Sequence, residues 1–373
     1  MNLWMINAAL GERSDMKEEI KYMSDNSKKK AVGVDLGTSN LLIYVEGRGT
    51  VFNEPSIIAI DKATKRVVSV GINAANLVGK THEKVEVIKP LSGGVIADVE
   101  MIKELLVFTL DSIFLSKMDN IRKMLICIPS EITETEKQAI RMLGYGMGID
   151  NVIIDAEVKA AAIGNGLDIY EPRGQFVIDI GGGTTDFGVL SLGEVVLAKA
   201  TKVAGEYFDR QIIEHVKNEH KLEIGEQTSE KIKVALASIE GDLPVDEDGK
   251  ELTYIAKGRD LVEGLPQHAV ITSSEIREVL LRCFETIKST LISTLEATPP
   301  ELSGDLVTNG IWVSGGGAKI RGLKQYFEAI ALVPVHISDH PLTAVINGTK
   351  KLLQFEGKHY FGESRVGMEA RSQ

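Results

Sequence analysis

The sequence predicts an α/β protein of two similar domains that face one cleft. Three observations predict it. Apolar segments of strand length alternate with helix-patterned segments along the chain. A strand–Asp–x–Gly–turn–strand unit occurs twice, as AVGVDLGTSNLLIYV at 31–45 and FVIDIGGGTTDFGVL at 176–190. The copies place Asp35 and Asp179 about 140 residues apart, one domain's length. With 373 residues, 43% of them hydrophobic, the chain can bury two cores without a disulfide or metal staple.

The elements follow in order. Residues 1–29 form an N-terminal extension whose start, MNLWMINAAL, is apolar. Three readings fit it: an interfacial membrane helix, a disordered leader, or upstream sequence if Met23 is the true start. Residues 31–36 and 41–45 flank LGTSN and read as a hairpin. The apolar run from Leu105 to Leu115, broken by Asp111, falls short of the ~18 residues a membrane span needs. MLICIP at 124–129 reads as a buried strand. Thr133 followed by Glu136 is a capping box, so a helix begins near Glu134, buries Ala139, Ile140 and Leu143, and ends at Gly144 and Gly146. Strands return at 152–155 and 175–180, with a short helix from Glu157 to Gly164 between them. Helices are expected at 205–217 and 228–240. Pro244 and Asp248-Gly249 mark a surface hairpin. Thr272 and Glu275 open a second capped helix towards Leu295; TPPEL then breaks the chain. NGIWVSGGGAKIRGL gives a strand, a glycine loop and a helix start. The division expected is domain I over 30–172, with 338–357 returning to it, domain II over 173–337, and a polar tail over 358–373.

The repeat carries the chemistry. Turns of this kind expose N–H groups that make anion-binding nests, and glycine supplies left-handed angles and close approach. Two nests facing one cleft would clamp a polyphosphate from both sides. The aspartates would repel phosphate without a cation, so Mg²⁺ held through water resolves the conflict. One Asp-x-Gly turn is commonplace; two at domain spacing, with a third glycine cluster at Gly315, Gly316 and Gly317, point to a nucleotide phosphate site.

Other motifs are excluded. Gly79-Lys80-Thr81 resembles the end of a P-loop, but Ala74 stands where the motif needs glycine, and a surface turn explains it. Gly144, Gly146 and Gly148 lack the dinucleotide-binding spacing, because Ile149 follows. No Ser/His/Asp set or histidine cluster stands out among the seven histidines. A net charge of −11 without a basic stripe argues against nucleic acid. Only Cys127 and Cys283 are present, in no metal-like spacing, which fits a reducing cytosol.

With these residues in view, the sequence resembles the actin, Hsp70 and sugar-kinase superfamily, and within it the MreB-like bacterial actins. The resemblance covers about Ala31 to Leu353 and rests on VDLGTSN, NEPSIIAI, PLSGGVIADVE, IPSEITETEKQAI, AAAIGNGL, VIDIGGGTTDFGVLSLG, GRDLVEGLP, STLEATPPEL and VSGGGAKIRGL in that order. It implies an actin-like fold: two RNase H-like domains around a nucleotide cleft, each with a smaller subdomain. It implies an ATPase that assembles with itself into filaments, in this family bound to the inner membrane. By position, Thr38, Ser39 and Asn40 would contact phosphate from domain I, and Gly181, Gly182, Gly183 and Thr184 from domain II. Asp35 and Asp179 would surround Mg²⁺. Glu230 and Lys233 match the adenosine-contacting helix, and Gly315, Gly316 and Gly317 would lie against the adenosine. Glu136 matches the hydrolytic glutamate, which orients or deprotonates the attacking water.

The sequence also departs from that family. Ala156-Glu157-Val158 stands where Glu-Glu-Pro is usual, Asp186 replaces a glutamate, Ser39 an alanine, and the first loop lies some 30 residues further in. The expected role is therefore a cytoskeletal scaffold of the cell-shape type or a specialised relative that positions an organelle, as magnetosome actins do, or segregates a plasmid. Adaptor proteins on a membrane or organelle are the implied partners. A monomeric sugar kinase shares the cleft, but no substrate aspartate is identifiable. An Hsp70-like chaperone fails because no peptide-binding domain follows residue 357. Ile113, Phe114 and Leu115 stand near a loop that dips into the membrane in this family; the competing expectation is the buried end of a helix.

Overall fold

The computed structural model describes residues 29–80, 83–114, 120–130 and 132–354. Two five-stranded sheets organise it. In domain I the strands are β1 (Lys30–Leu36), β2 (Asn40–Val45), β3 (Gly49–Pro55), β9 (Ile121–Ile128) and β10 (Val152–Ala156), in the order β3-β2-β1-β9-β10. In domain II they are β11 (Gln175–Ile180), β12 (Thr185–Ser191), β13 (Glu194–Thr201), β17 (Ile311–Ser314) and β18 (Val335–Ile337), in the order β13-β12-β11-β17-β18. In each sheet the first three strands are an antiparallel meander and the last two join it in parallel. The short sequence repeat is thus the visible part of a whole-domain duplication.

Insertions differ. Domain I carries β4 (Ile58–Asp61), β5 (Val67–Val70), helix α1 (Gly71–Ala75) and β6 (Val85–Ile88), then β7 (Leu91–Ser92), β8 (Val95–Ile96) and α2 (Val99–Phe114). Helix α3 (Glu134–Gly146) bridges β9 and β10, and α4 (Glu157–Gly164) follows β10. Domain II inserts α5 (Gly205–His220), β14 (Leu222–Glu223), α6 (Glu226–Leu236), the hairpin β15 (Thr253–Asp260) and β16 (Pro266–Thr272), α7 (Ser273–Ala297) and α8 (Pro300–Asn309). Helices α9 (Leu323–Ala331) and α10 (Ala344–Gln354) end the described chain.

Both predicted capping boxes form, at Thr133/Glu136 and Thr272/Glu275. Helix α4 spans the residues expected of it. Asp246 accepts from the N–H groups of Asp248 and Lys250, closing the predicted surface hairpin. Three expectations need correction. The helix expected over 228–240 is α6, Glu226–Leu236, because Ala237 leaves helical angles and Ser238 pairs with Arg321. Helix α3 ends at Gly146 as expected, but Gly144 lies inside it; glycine is needed there for packing, since a Cβ would come within 2.4 Å of Val152 on β10. TPPEL breaks the chain only briefly: Pro300 is the first residue of α8, where its fixed φ and missing N–H cost nothing. Gly79 sits in a turn with φ +72°, as the surface-turn reading requires. Phe114 is buried in the domain I core and Ile113 packs against it, which is the helix-end reading; Leu115 lies outside the described residues, as do the N-terminal segment and the polar tail.

The two cores differ in material. Domain I packs aliphatic side chains such as Val32, Ile43, Ile58 and Leu105. Domain II gathers Phe176, Phe187, Phe208, Phe284 and Phe327, with Phe208 and Phe284 stacked at 5.5 Å. Helices α4 and α10 lock the halves. Each follows the last sheet strand of one domain and packs on strands of the other. They cross reciprocally: a Cβ on Gly164 would meet the Ala344 carbonyl at 1.9 Å, and one on Gly348 the Ala160 carbonyl at 1.7 Å. Only glycine permits that approach.

Candidate functional site

The cleft lies where the two repeat turns meet. On the domain I side, Gly37, Thr38 and Ser39 turn between β1 and β2. Ser56 fixes this turn, donating its hydroxyl to Gly37 O at 2.6 Å and its N–H to Ser39 O at 2.9 Å. On the domain II side, Gly181, Gly182, Gly183 and Thr184 turn between β11 and β12, closed by Gly181 N–H to Thr184 O at 2.9 Å. The turns face each other at contact distance. A Cβ on Gly182 would lie 2.0 Å from Ser39 Oγ; one on Gly183 would lie 2.2 Å from Gly94 N and 2.3 Å from Thr38 Oγ1. These glycines do not have the left-handed angles expected from sequence, since none of the three has positive φ; close approach alone requires them. Gly315 does have such an angle, at φ +81°, and with Gly317 it packs onto Ile180 at the end of β11.

Beneath the turns lies a cluster of buried carboxyl groups. Asp35 is the next-to-last residue of β1 and Asp179 that of β11, both buried. Asp186 on β12 and Glu157, the first residue of α4, are buried beside them. Burial, and then the charge of Asp179, push the Asp35 carboxyl far above the usual carboxylate range. Burial raises Glu157 as well, reinforced by Asp35, Asp186 and Asp179. Burial lifts Asp179 to about 6, against a hydrogen bond from Ser314 Oγ at 2.7 Å that favours the charged form. Among the described residues no salt bridge ends on Asp35, Glu157 or Asp179, and Glu157 Oε1 is buried without a hydrogen-bond partner. Carboxylates packed this way stay protonated or hold a cation. The donor set therefore fits a divalent, oxygen-loving ion such as Mg²⁺, held largely through water.

Sequence reasoning identified Asp35 and Asp179 but missed Glu157, Asp186 and Ser314 as parts of this cluster. A glutamate opening a helix is ordinary in sequence. Ser314 reaches Asp179 only because β17 pairs with β11 in that register.

Glu136 stands at the start of α3. Its Oε2 accepts from Thr133 N–H at 2.9 Å and Thr133 Oγ1 at 2.6 Å. Those bonds, hydroxyl first, hold its carboxyl below the usual range, and the charge of Lys202 from domain II adds to them. It is an ionised carboxylate fixed by a helix end. Ser130, just upstream, donates its N–H to Asp186 at 2.8 Å, tying the same segment to domain II.

The other predicted residues fall as follows. Asn40 donates its side-chain amide to Asn53 on β3 at 3.1 Å. Lys233 on α6 donates to Asp209 at 2.7 Å and to Gly205 O at 3.0 Å, so it anchors the start of α5. Glu230 is exposed one turn before it. The N–H groups of Gly205 and Glu206 reach Gly181 O and Gly182 O, so α5 begins on the domain II turn. Across the cleft mouth, Gly93 N–H donates to Glu206 at 3.0 Å, Lys89 pairs with Glu226 at 2.6 Å, and Gln227 donates to Ala75 O at 3.0 Å.

Comparison with known proteins decides the family. The model of the MreB/Mbl protein family matches residues 29–359. The chain belongs to the MreB/Mbl family. The cell shape-determining protein Mbl of Bacillus subtilis is 40% identical over 322 residues, 86% of this chain and 95% of the relative. The cell shape-determining protein MreB of Escherichia coli is 38% identical over 334 residues, 88% of this chain and 94% of the relative. MreB5 of Spiroplasma citri, solved bound to AMPPNP, is 40% identical with a TM-score of 0.81, covering 87% of this chain and 96% of that one. A MamK chain from a double helical filament, 20% identical with a TM-score of 0.72, shares the fold. The MreB/Mbl fold is thus that of a bacterial actin, with the repeat turns facing its cleft. Among the described residues no helix is long and apolar enough to cross a membrane.

Proposed function

We propose that this protein is an ATP-hydrolysing bacterial actin whose nucleotide state governs assembly into filaments that serve as a cytoskeletal scaffold. The observation that carries the reading is the meeting of two hairpin turns over buried carboxyl groups, of which Asp35, Asp179 and Glu157 form no salt bridge among the described residues. A nucleotide's phosphates would lie against the joined turns, with a cation to offset the acids below. Asp35 and Asp179, with Glu157 and Asp186 behind them, would hold Mg²⁺, which supplies charge neutralisation at the phosphates. Thr38, Ser39 and the N–H groups of Gly181, Gly182, Gly183 and Thr184 would bind the phosphates, and Asn40 would secure the edge of the domain I turn. Glu230, Lys233 and the loop of Gly315, Gly316 and Gly317 would bound the adenosine. Glu136, ionised and held by its cap, would orient the attacking water and accept its proton. The related MreB5 was solved with AMPPNP and with ADP, which supports the nucleotide.

Relatives named for determining cell shape support the scaffold role. Exposed Leu261, Val262 and Leu265 at the tip of the β15–β16 hairpin, with Val234 on α6, supply apolar surface for self-association. Cytoplasmic filaments that reach the inner membrane through the apolar N-terminal segment or an adaptor belong to the same reading.

The test is sedimentation with Mg-ATP, Mg-ADP and no nucleotide, with and without lipid vesicles, followed by electron microscopy of the pellets. Filaments that form with Mg-ATP and fail without nucleotide are expected. A chain that stays in the supernatant throughout would instead be a soluble ATP-dependent enzyme of the same fold.

A further inference from the structure

A second cluster of ligating side chains lies in domain II, apart from the cleft. His215 and His220 sit in the last turns of α5, and Glu275 is the third residue of α7. One ligand atom from each lies within 4.8 Å of the other two, close enough for the three to share one ion. His220 Nε2 is 2.8 Å from Glu275 Oε1, and His215 Nε2 is 3.7 Å from the same oxygen. The second distance is too long for a hydrogen bond, and His215 Nε2 is buried without a partner. Two ligands of a tetrahedral ion with bonds of about 2.05 Å stand about 3.3 Å apart. The two observed distances straddle that value.

The surroundings suit a cation. Glu275 Oε2 is already engaged, accepting from Thr272 N–H at 2.7 Å and Thr272 Oγ1 at 3.0 Å, so the capping box fixes the carboxylate and leaves Oε1 towards the imidazoles. Metal-binding carboxylates characteristically have this outer support. The carbonyl end of α5 favours positive charge. Glu251, which accepts from Ser273 Oγ and Ser274 N–H at the start of α7, adds a second carboxylate nearby. No lysine or arginine forms a salt bridge with Glu275 among the described residues.

We propose that His215, His220 and Glu275 form a binding site for a borderline divalent transition metal, Zn²⁺ being the best match to two imidazoles and a carboxylate. The three protein ligands leave the fourth position to water. The ion staples the end of α5 to the start of α7. Helix α5 begins on the Gly181–Gly182 turn, about 24 Å along its axis from this site, so the staple braces the element on which that turn rests.

The probe is Co²⁺ and then Zn²⁺, added to the full-length, untagged chain after chelator treatment. One equivalent of Co²⁺ should give the intense visible bands of tetrahedral coordination, and Zn²⁺ should displace it. His220→Gln and Glu275→Gln should each weaken binding at least roughly 10-fold. Glutamine at 275 preserves the capping box, so that variant separates loss of a ligand from loss of the helix start. Circular dichroism without metal should match wild type, with the metal-free thermal midpoint lowered only slightly by loss of the His220–Glu275 contact. Absence of a one-to-one tetrahedral spectrum in the wild type, or an unchanged spectrum and affinity in both variants, would overturn the assignment.

Discussion

The β1–β2 turn of domain I and the β11–β12 turn of domain II occupy the same place in the same sheet, yet they are built differently. The domain II turn is almost bare backbone: three successive glycines, with Asp179 tethered to Ser314 beneath them. The domain I turn carries hydroxyl side chains, Thr38 and Ser39, and its Asp35 has no such tether among the described residues. One turn is a socket and the other fills it: Ser39 enters the space Gly182 leaves open, and Thr38 the space at Gly183. Duplication set the geometry. Divergence made the two halves complementary, which two identical turns would not be.

The most severe way to break this complementarity is Gly183→Val. Its side chain would collide with the backbone at Gly94, which cannot move aside as a side chain would. We expect measurable ATP binding to be lost by titration calorimetry while each domain keeps its secondary structure by circular dichroism. Wild-type affinity in that variant would refute the socket. Next in size is Glu136→Gln, which keeps a capping-box residue but removes the proposed base. Turnover per bound nucleotide should fall about 10²- to 10⁴-fold with ATP affinity retained. Unchanged turnover would remove Glu136 from the chemistry.

A milder comparison uses pH. The folded-state value of Asp179 is raised from 3.8 to about 6, and Asp35 is raised further. Between the unfolded and folded values the native chain holds protons that the unfolded chain has released. The stability these provide is complete below about pH 4 and fades as pH climbs through 6 and beyond. The ligand-free protein should therefore lose several degrees of thermal midpoint between pH 5 and 8, read by scanning fluorimetry. Asp179→Asn should flatten the lower part of that decline and Asp35→Asn the upper part. A profile identical in both variants would mean that the two aspartates do not differ as their burial and tethering imply.

Much of this was legible in the sequence, for local reasons. The capping boxes, the hairpin turns and helix α4 depend on residues within a few positions of one another. The paired aspartates were visible because duplication repeats a motif. What escaped depends on pairing in space. Ser314 matters only through the β11–β17 register, and Glu157 only because α4 packs on the opposite domain's sheet. Gly144 looked like a helix stop because sequence does not show that β10 passes beside it. The strands of the domain I insertion are short, and β3 and β5 are half-exposed without strict alternation, so their pattern is weak. His215 and His220 lie on one helix, but the carboxylate that makes them a cluster comes from another element far along the chain.

The central claim is that buried acid at the cleft floor makes phosphate binding conditional on a cation. The most direct test is the ratio of ATP affinity with Mg²⁺ to that with chelator, in wild type and in Asp179→Asn. In wild type at neutral pH the ratio should be large, because bare phosphates meet Asp179, which is ionised above about pH 6. In the variant it should shrink roughly 10- to 100-fold, with Mg-ATP binding weakened and metal-free binding less opposed. An equal ratio in both proteins would contradict the account.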